Sequence, residues 1–127
     1  MTRVVLDEAS GPVSPRFQYT LLVSIQDGVA TVASKGGPLG THTATVPVDE
    51  GAIVAALAAL PLVDLVDEVR AARVGIRVNR LVIDDREHRY LRSDLDESAN
   101  AAGPAALRRG RDAILAAVRT ALDATRS

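Results

Sequence analysis

The chain has 127 residues, of which 15 are basic, 16 acidic and none cysteine. A length of that order suits one domain able to bury about two-thirds of its unfolded surface, and the lack of cysteine excludes disulfides, thiolate nucleophiles and cysteine-ligated metal sites. A formal charge of −1 supplies no global field toward nucleic acid or anionic membrane, and with Phe17, Tyr19 and Tyr90 as its aromatics the chain offers no base-stacking platform.

Arg3 to Leu6 predict a short first strand, cut off by Asp7 and Glu8 before it reaches the apolar length of a signal peptide. The longest apolar run, 52–63, is interrupted by Pro61 and falls well short of the ~20 residues that span a bilayer. Both readings lead to the expectation of a soluble, cytoplasmic protein. Residues 10–15, with Pro12, Ser14 and Pro15, predict an extended loop, because each proline disfavours helix at the residue before it.

From Phe17 the pattern turns regular. Phe17, Tyr19, Leu21, Val23 and Ile25 alternate with more polar positions, as in a strand with one buried face. Asp27-Gly28 is a favoured pair for a type I′ turn, and a two-residue loop there sets Gln26 opposite Val29, Ile25 opposite Ala30 and Val23 opposite Val32. The apolar face then continues across the hairpin of residues 16–34, as a consistent register requires. A glycine-rich loop follows at 36–40, then a third strand over 41–48 rich in Thr and Val.

Asp49 or Glu50 suits the start of a helix through Ile53, Val54, Leu57 and Leu60, which Pro61 ends or restarts. Leu62, Leu65, Val66 and Val69 fall at helical spacing and predict a second helical piece over 62–73. Residues 76–83 read as a strand, 84–87 as a turn and 88–92 as the returning strand of a second hairpin. After a polar loop at 94–103, Pro104 opens a closing helix with Leu107, Ile114, Leu115, Val118 and Leu122 on one stripe. The expected fold is one α+β domain over 1–127: an antiparallel sheet of four or five strands built from two β-hairpins, with two or three helices packed on one face as a two-layer sandwich.

Motifs for chemistry are sparse. The 36–43 segment has glycines that could approach an anion, but no lysine follows the last of them and a strand, not a helix, comes next, so it reads as a connecting loop. His42 and His88 are the two histidines; a hydrolytic zinc site needs three protein ligands, and neither an H-x-x-x-H nor an H-x-H pair occurs. Asp94, Asp96 and Ser98 begin like a calcium loop, but Ala99 stands at its sixth position and Ala105 at its twelfth. The arginines at 70, 73, 77, 80, 86, 89 and 92 are interleaved with acids, which points to a solvated or acid-partnered surface. No cofactor, metal or catalytic residue is expected.

Several short features resemble the emfourin type of small bacterial inhibitor of thermolysin-like metalloproteases. They are Gly11 and Arg16 before Phe17-Gln18-Tyr19-Thr20, Leu57 and Leu60 leading into Leu62-Val63-Asp64-Leu65, then Leu81-Val82-Ile83-Asp84-Asp85, His88, and Asp94-Leu95-Asp96 before a terminal helix. The 36–48 segment is longer, and the strand after Gly75 more arginine-rich, than that pattern. The resemblance implies a non-catalytic protein that occludes a protease cleft; it carries over no individual inhibitory residue.

The sequence therefore predicts a non-catalytic protein-binding module, a metalloprotease inhibitor in one version, whose partner-binding residues are Pro12, Ser14, Arg16, Pro38, Leu39 and His42 on two Gly/Pro-rich loops. The partner is a protein, not nucleic acid or membrane, and the chain itself a monomer or homodimer. One alternative is a small enzyme or ligand-binding domain using His42, His88, Tyr90 and Arg92 around a pocket between sheet and helices. Another is a structural subunit that self-associates through an uncovered sheet face.

Overall fold

The computed structural model describes residues 3–10, 16, 18–66, 77–96 and 101–125. Alternation of Val4, Leu6 and Glu8 with Val5, Asp7 and Ala9 makes β1, Val4–Ala9. The strand runs three residues past its expected end because its second charge, Glu8, is the third inward position and is buried. Asp27 and Gly28, with φ of 55° and 77°, turn β2 (Thr20–Gln26) into β3 (Val29–Lys35) in the expected register, Gln26 opposite Val29 and Val23 opposite Val32. β4, His42–Pro47, returns beside β3.

α1, Glu50–Ala58, is capped by Asp49, whose Oδ1 accepts from the Ala52 amide at 3.0 Å. Its one turn of overlap with the core rests on Ile53 and Leu57. The second hairpin joins β5 (Asn79–Ile83) to β6 (Arg86–Tyr90) through Asp84-Asp85 alone. That turn is two residues shorter than expected because Asp84 takes φ of 55°, a left-handed conformation that Asp tolerates, and exchanges bonds with the Arg3 backbone. The last helix, α2, is Ala102–Thr125.

Residues 62–66 are not helical. Leu62, Leu65 and Val66 meet the apolar surface from an extended segment: the Leu65 amide donates to the Arg89 carbonyl at 3.0 Å, and Asp64 Oδ1 accepts from the Arg89 amide at 3.0 Å. Strand-edge pairing satisfies this backbone where a helix after Pro61 would have to restart. The rest of that expectation, 67–73, lies outside the described residues, as do Ile76 and the loop at 97–100. Across the expected strand end at 92 and the start of the expected loop at 94–103, Arg92–Leu95 forms a single 3-10 turn, and α2 begins at Ala102.

The fold is α+β. All six strands are antiparallel in the order β4-β3-β2-β1-β5-β6, so the sheet exceeds the expected four or five strands by counting β1 at its centre and both hairpins. One face carries the core: Leu6, Leu21, Val23, Ile25, Val32 and Leu81 of the sheet meet Ile53 and Leu57 of α1 and Leu107, Ile114, Val118 and Leu122 of α2. Gly110 lets the helices close on each other, since a Cβ there would lie 3.0 Å from Leu57. The opposite face has no described helix on it and exposes Leu22. Among the described residues no helix is long and apolar enough to cross a membrane.

Candidate functional site

Strand alternation turns Glu8 toward the helices, where its side chain is completely buried. A lone buried carboxylate is costly, so four donors converge on it. Arg111 of α2 grips it in two places, Nε to Oε1 at 2.5 Å and Nη2 to Oε2 at 2.8 Å. Tyr90, at the end of β6, donates to Oε1 at 2.5 Å, and Tyr19, just before β2, donates to Oε2 at 2.7 Å. Each oxygen accepts twice. Arg111 reaches this point because it sits on the apolar stripe of α2, four residues after Leu107 and three before Ile114.

Burial alone would raise the pKa of Glu8, but the hydrogen bonds and charge of Arg111, with the hydroxyls of Tyr90 and Tyr19, outweigh it and hold the carboxyl below its ordinary range. Burial and the Glu8 charge push Tyr19 up to about 12 and raise Tyr90 further. For Arg111 burial works against the charge, yet Glu8 more than compensates and the guanidinium stays protonated. Held this way, the carboxylate clamps β1 to β6 and α2.

The two ends of the titration follow. Glu8 stabilises the fold above its unfolded pKa of about 4.5 and loses that contribution as pH falls through its lower folded value. The tyrosines act in the opposite sense: their contribution is complete below pH 10 and fades as pH rises toward 12 and beyond. Melting temperature against pH is expected to drop on both sides of that window, and Tyr19→Phe to flatten the alkaline arm. An unchanged alkaline arm in that variant would contradict the assignment.

Above the clamp lies an open cleft of about 600 Å³ with Tyr19 and Arg111 in its floor. One wall is Pro38, in the short turn Gly37–Leu39; the other is the turn Arg92–Leu95 with Asp96. Arginines of α2 fasten each part. Arg119 donates to the Pro38 carbonyl at 2.7 Å, and Arg108 to the carbonyls of Asp94 and Asp96 at 3.2 and 3.0 Å. Asp94 closes its own turn by accepting from the Leu91 amide at 2.8 Å.

The Pro38 wall is held on every side. Gly36, Gly37 and Gly40 take φ of 68°, 72° and 74°, a region that suits glycine. Ser34 Oγ donates to the Gly40 carbonyl at 2.8 Å, the Gly36 amide donates to Thr41 Oγ1 at 3.1 Å, and Leu39 is buried in the core. Arg92, exposed on the facing wall, lies near enough to Tyr19 to act on its titration.

Of the residues expected to meet a partner, Pro38 lines this cleft, while His42 is half-buried at the start of β4 and is not among the cleft's lining residues. Leu39 is corrected from a contact to an anchor, because at 8 % exposure its side chain faces the core. Arg16 is exposed, while Pro12 and Ser14 lie outside the described residues. His88 lines a separate groove of about 240 Å³ with Leu57, Leu62 and Arg86, where burial lowers its pKa. His42 and His88 stand on opposite edge strands, five strand spacings or roughly 24 Å apart. They form no common site, and among the described residues no group of three metal-ligating side chains occurs. Tyr90 is buried beneath the cleft and Arg92 rims it, so those two do share a neighbourhood.

Glu8 and Arg111 escaped the sequence reading. Their signal was a charge at an inward position of an alternating strand and a cation within the apolar stripe of a helix, two anomalies of opposite sign. No protein family, curated protein or solved structure matches the chain.

Proposed function

We propose that the chain is a non-catalytic protein-binding module whose recognition element is loop 36–41, with the 92–96 wall across the cleft as its second contact. The observation that carries this reading is the fixing of the loop before any partner arrives: three left-handed glycines, a buried leucine, two local hydrogen bonds and an arginine from a distant helix turn. A loop ordered in advance loses little entropy on binding, which is how a small scaffold reaches high affinity through a short contact.

For the target we infer a protease of the thermolysin-like metalloprotease class. The resemblance of Phe17-Gln18-Tyr19-Thr20, Leu81-Val82-Ile83-Asp84-Asp85 and Asp94-Leu95-Asp96 to emfourin-type inhibitors supports it. Titration of such a protease with the full chain is expected to give nanomolar inhibition; none at micromolar chain would sink the target class. Arg119→Ala, which frees Pro38 from α2, is expected to weaken inhibition about tenfold while stability changes by under ~1 kcal/mol. Equal inhibition by this variant would mean that the loop's fastening does not matter to the target.

A further inference from the structure

The two edges of the sheet are treated differently. At β6 the outward-facing backbone of Arg89 is covered: its carbonyl accepts from Leu65 and its amide bonds Asp64. At β4 no described segment plays that part. The parity of the ladder identifies the groups left facing outward. The Val48 amide donates to the Gly28 carbonyl at 2.9 Å, and the register places Ala30 opposite Val46, Val32 opposite Ala44 and Ser34 opposite His42. Bonding pairs alternate along an antiparallel ladder, so His42, Ala44 and Val46 bond to β3, and Thr43 and Thr45 direct their amides and carbonyls away from the sheet.

An edge of this kind is ordinarily blunted by charge, by a bulge or by proline. From Thr41 to Val48 there is no Asp, Glu, Lys or Arg, and Pro47 stands only at the end of the strand. The strand is also close to a palindrome about Ala44, with Thr on either side of it. Laid antiparallel on a copy of itself and centred on Ala44, β4 sets Thr43 opposite Thr45 of the copy, His42 opposite Val46, and Ala44 opposite Ala44. Thr43 and Thr45 then exchange four hydrogen bonds across the twofold axis. The threonines stack in pairs favoured between strands. Two small alanines meet on the axis, and no like charges are brought together. Pro47, lacking an amide proton, stops the ladder there.

We infer that β4 is a self-pairing edge: two copies of this chain join through Thr43 and Thr45 into one continuous twelve-stranded sheet, with Ala44 on the twofold axis. The occupant is a second copy because the pairing pattern of the strand is complementary to itself. The inference does not depend on the proposed protease target.

Sedimentation of the full chain alone tests it. The weight-average mass is expected to rise from 13.4 kDa toward twice that value as concentration increases into the range of about 1 mM, as for a small, transient interface. Thr45→Pro removes an outward amide without touching the β3 ladder, and Thr43→Lys places one charge per copy beside the axis, in the Thr43–Thr45 pairs; both are expected to hold the mass at a single chain. Because a variant could lose its fold, a second measurement uses the absence of native cysteine. Ala44→Cys puts two thiols at a non-hydrogen-bonded pair, the cross-strand position closest to disulfide geometry, and is expected to cross-link at least about tenfold faster than Thr43→Cys under the same oxidant. A mass that stays at one chain throughout, or equal cross-linking of the two cysteine variants, would overturn the inference.

Discussion

Glu8→Ala is expected to destabilise the fold by about 3–5 kcal/mol, the range found when one partner of a buried ion pair is removed. The Arg111 side chain is only 16 % exposed and would keep its charge with no carboxylate beside it, and the hydroxyls of Tyr90 and Tyr19 would lose their acceptor. For a chain of this length the shift in melting temperature is roughly 10–20 °C. The opposite result is expected when all four groups go together. Glu8→Met with Arg111→Met, Tyr19→Phe and Tyr90→Phe removes every polar atom at once and is expected to melt within about 5 °C of the native chain. Thermal melts of the single and quadruple variants decide the matter. Additive losses over the four sites, instead of recovery, would show that the cluster is not one unit.

Gly37→Ala is expected to cost about 2–4 kcal/mol, from two sources of similar size. The residue has φ of 72°, and a Cβ there would lie 2.7 Å from Cγ and Cδ2 of the Tyr19 ring. The ring cannot step aside freely, because its hydroxyl is tied to Glu8. Gly28→Ala supplies the comparison: it has a similar φ of 77°, but a Cβ there meets nothing within 4 Å. That variant is expected to lose only about 1 kcal/mol. Denaturant unfolding of both would separate backbone strain from the clash, and equal losses would remove Tyr19 as the cause.

The contrast between these sites explains what the sequence disclosed. The hairpin at Asp27-Gly28 was legible because turn chemistry and side-chain alternation point independently to one register, and the α2 stripe because its spacing repeats over about four turns. Residues 62–66 misled because an extended edge segment and a helix can bury the same Leu62, Leu65 and Val66. What decides between them is Asp64 bonding Arg89, a contact between residues 25 apart. The cleft was less legible still. Pro38 was recognised as a loop residue, but the clamp beneath it joins Glu8 to Arg111 across 103 positions. Each charge taken alone reads as an ordinary surface residue.

Burial also divides the candidate loop residues in a way that local sequence does not express. Leu39 and Pro38 are neighbours in one glycine-rich turn, yet one is held in the core and the other walls the cleft. In the proposed binding role the apolar residue fixes the loop and the proline is the one that meets the partner. That division of labour is the physical content of the proposed binding role.

The inhibition constant of the native chain beside that of Pro38→Glu, measured against one thermolysin-like metalloprotease with melting temperatures recorded in parallel, tests this account most directly. The account predicts nanomolar inhibition by the native chain and a loss of at least about a hundredfold in the variant, with little change in melting temperature. No inhibition by micromolar native chain, or equal inhibition by Pro38→Glu, would contradict it.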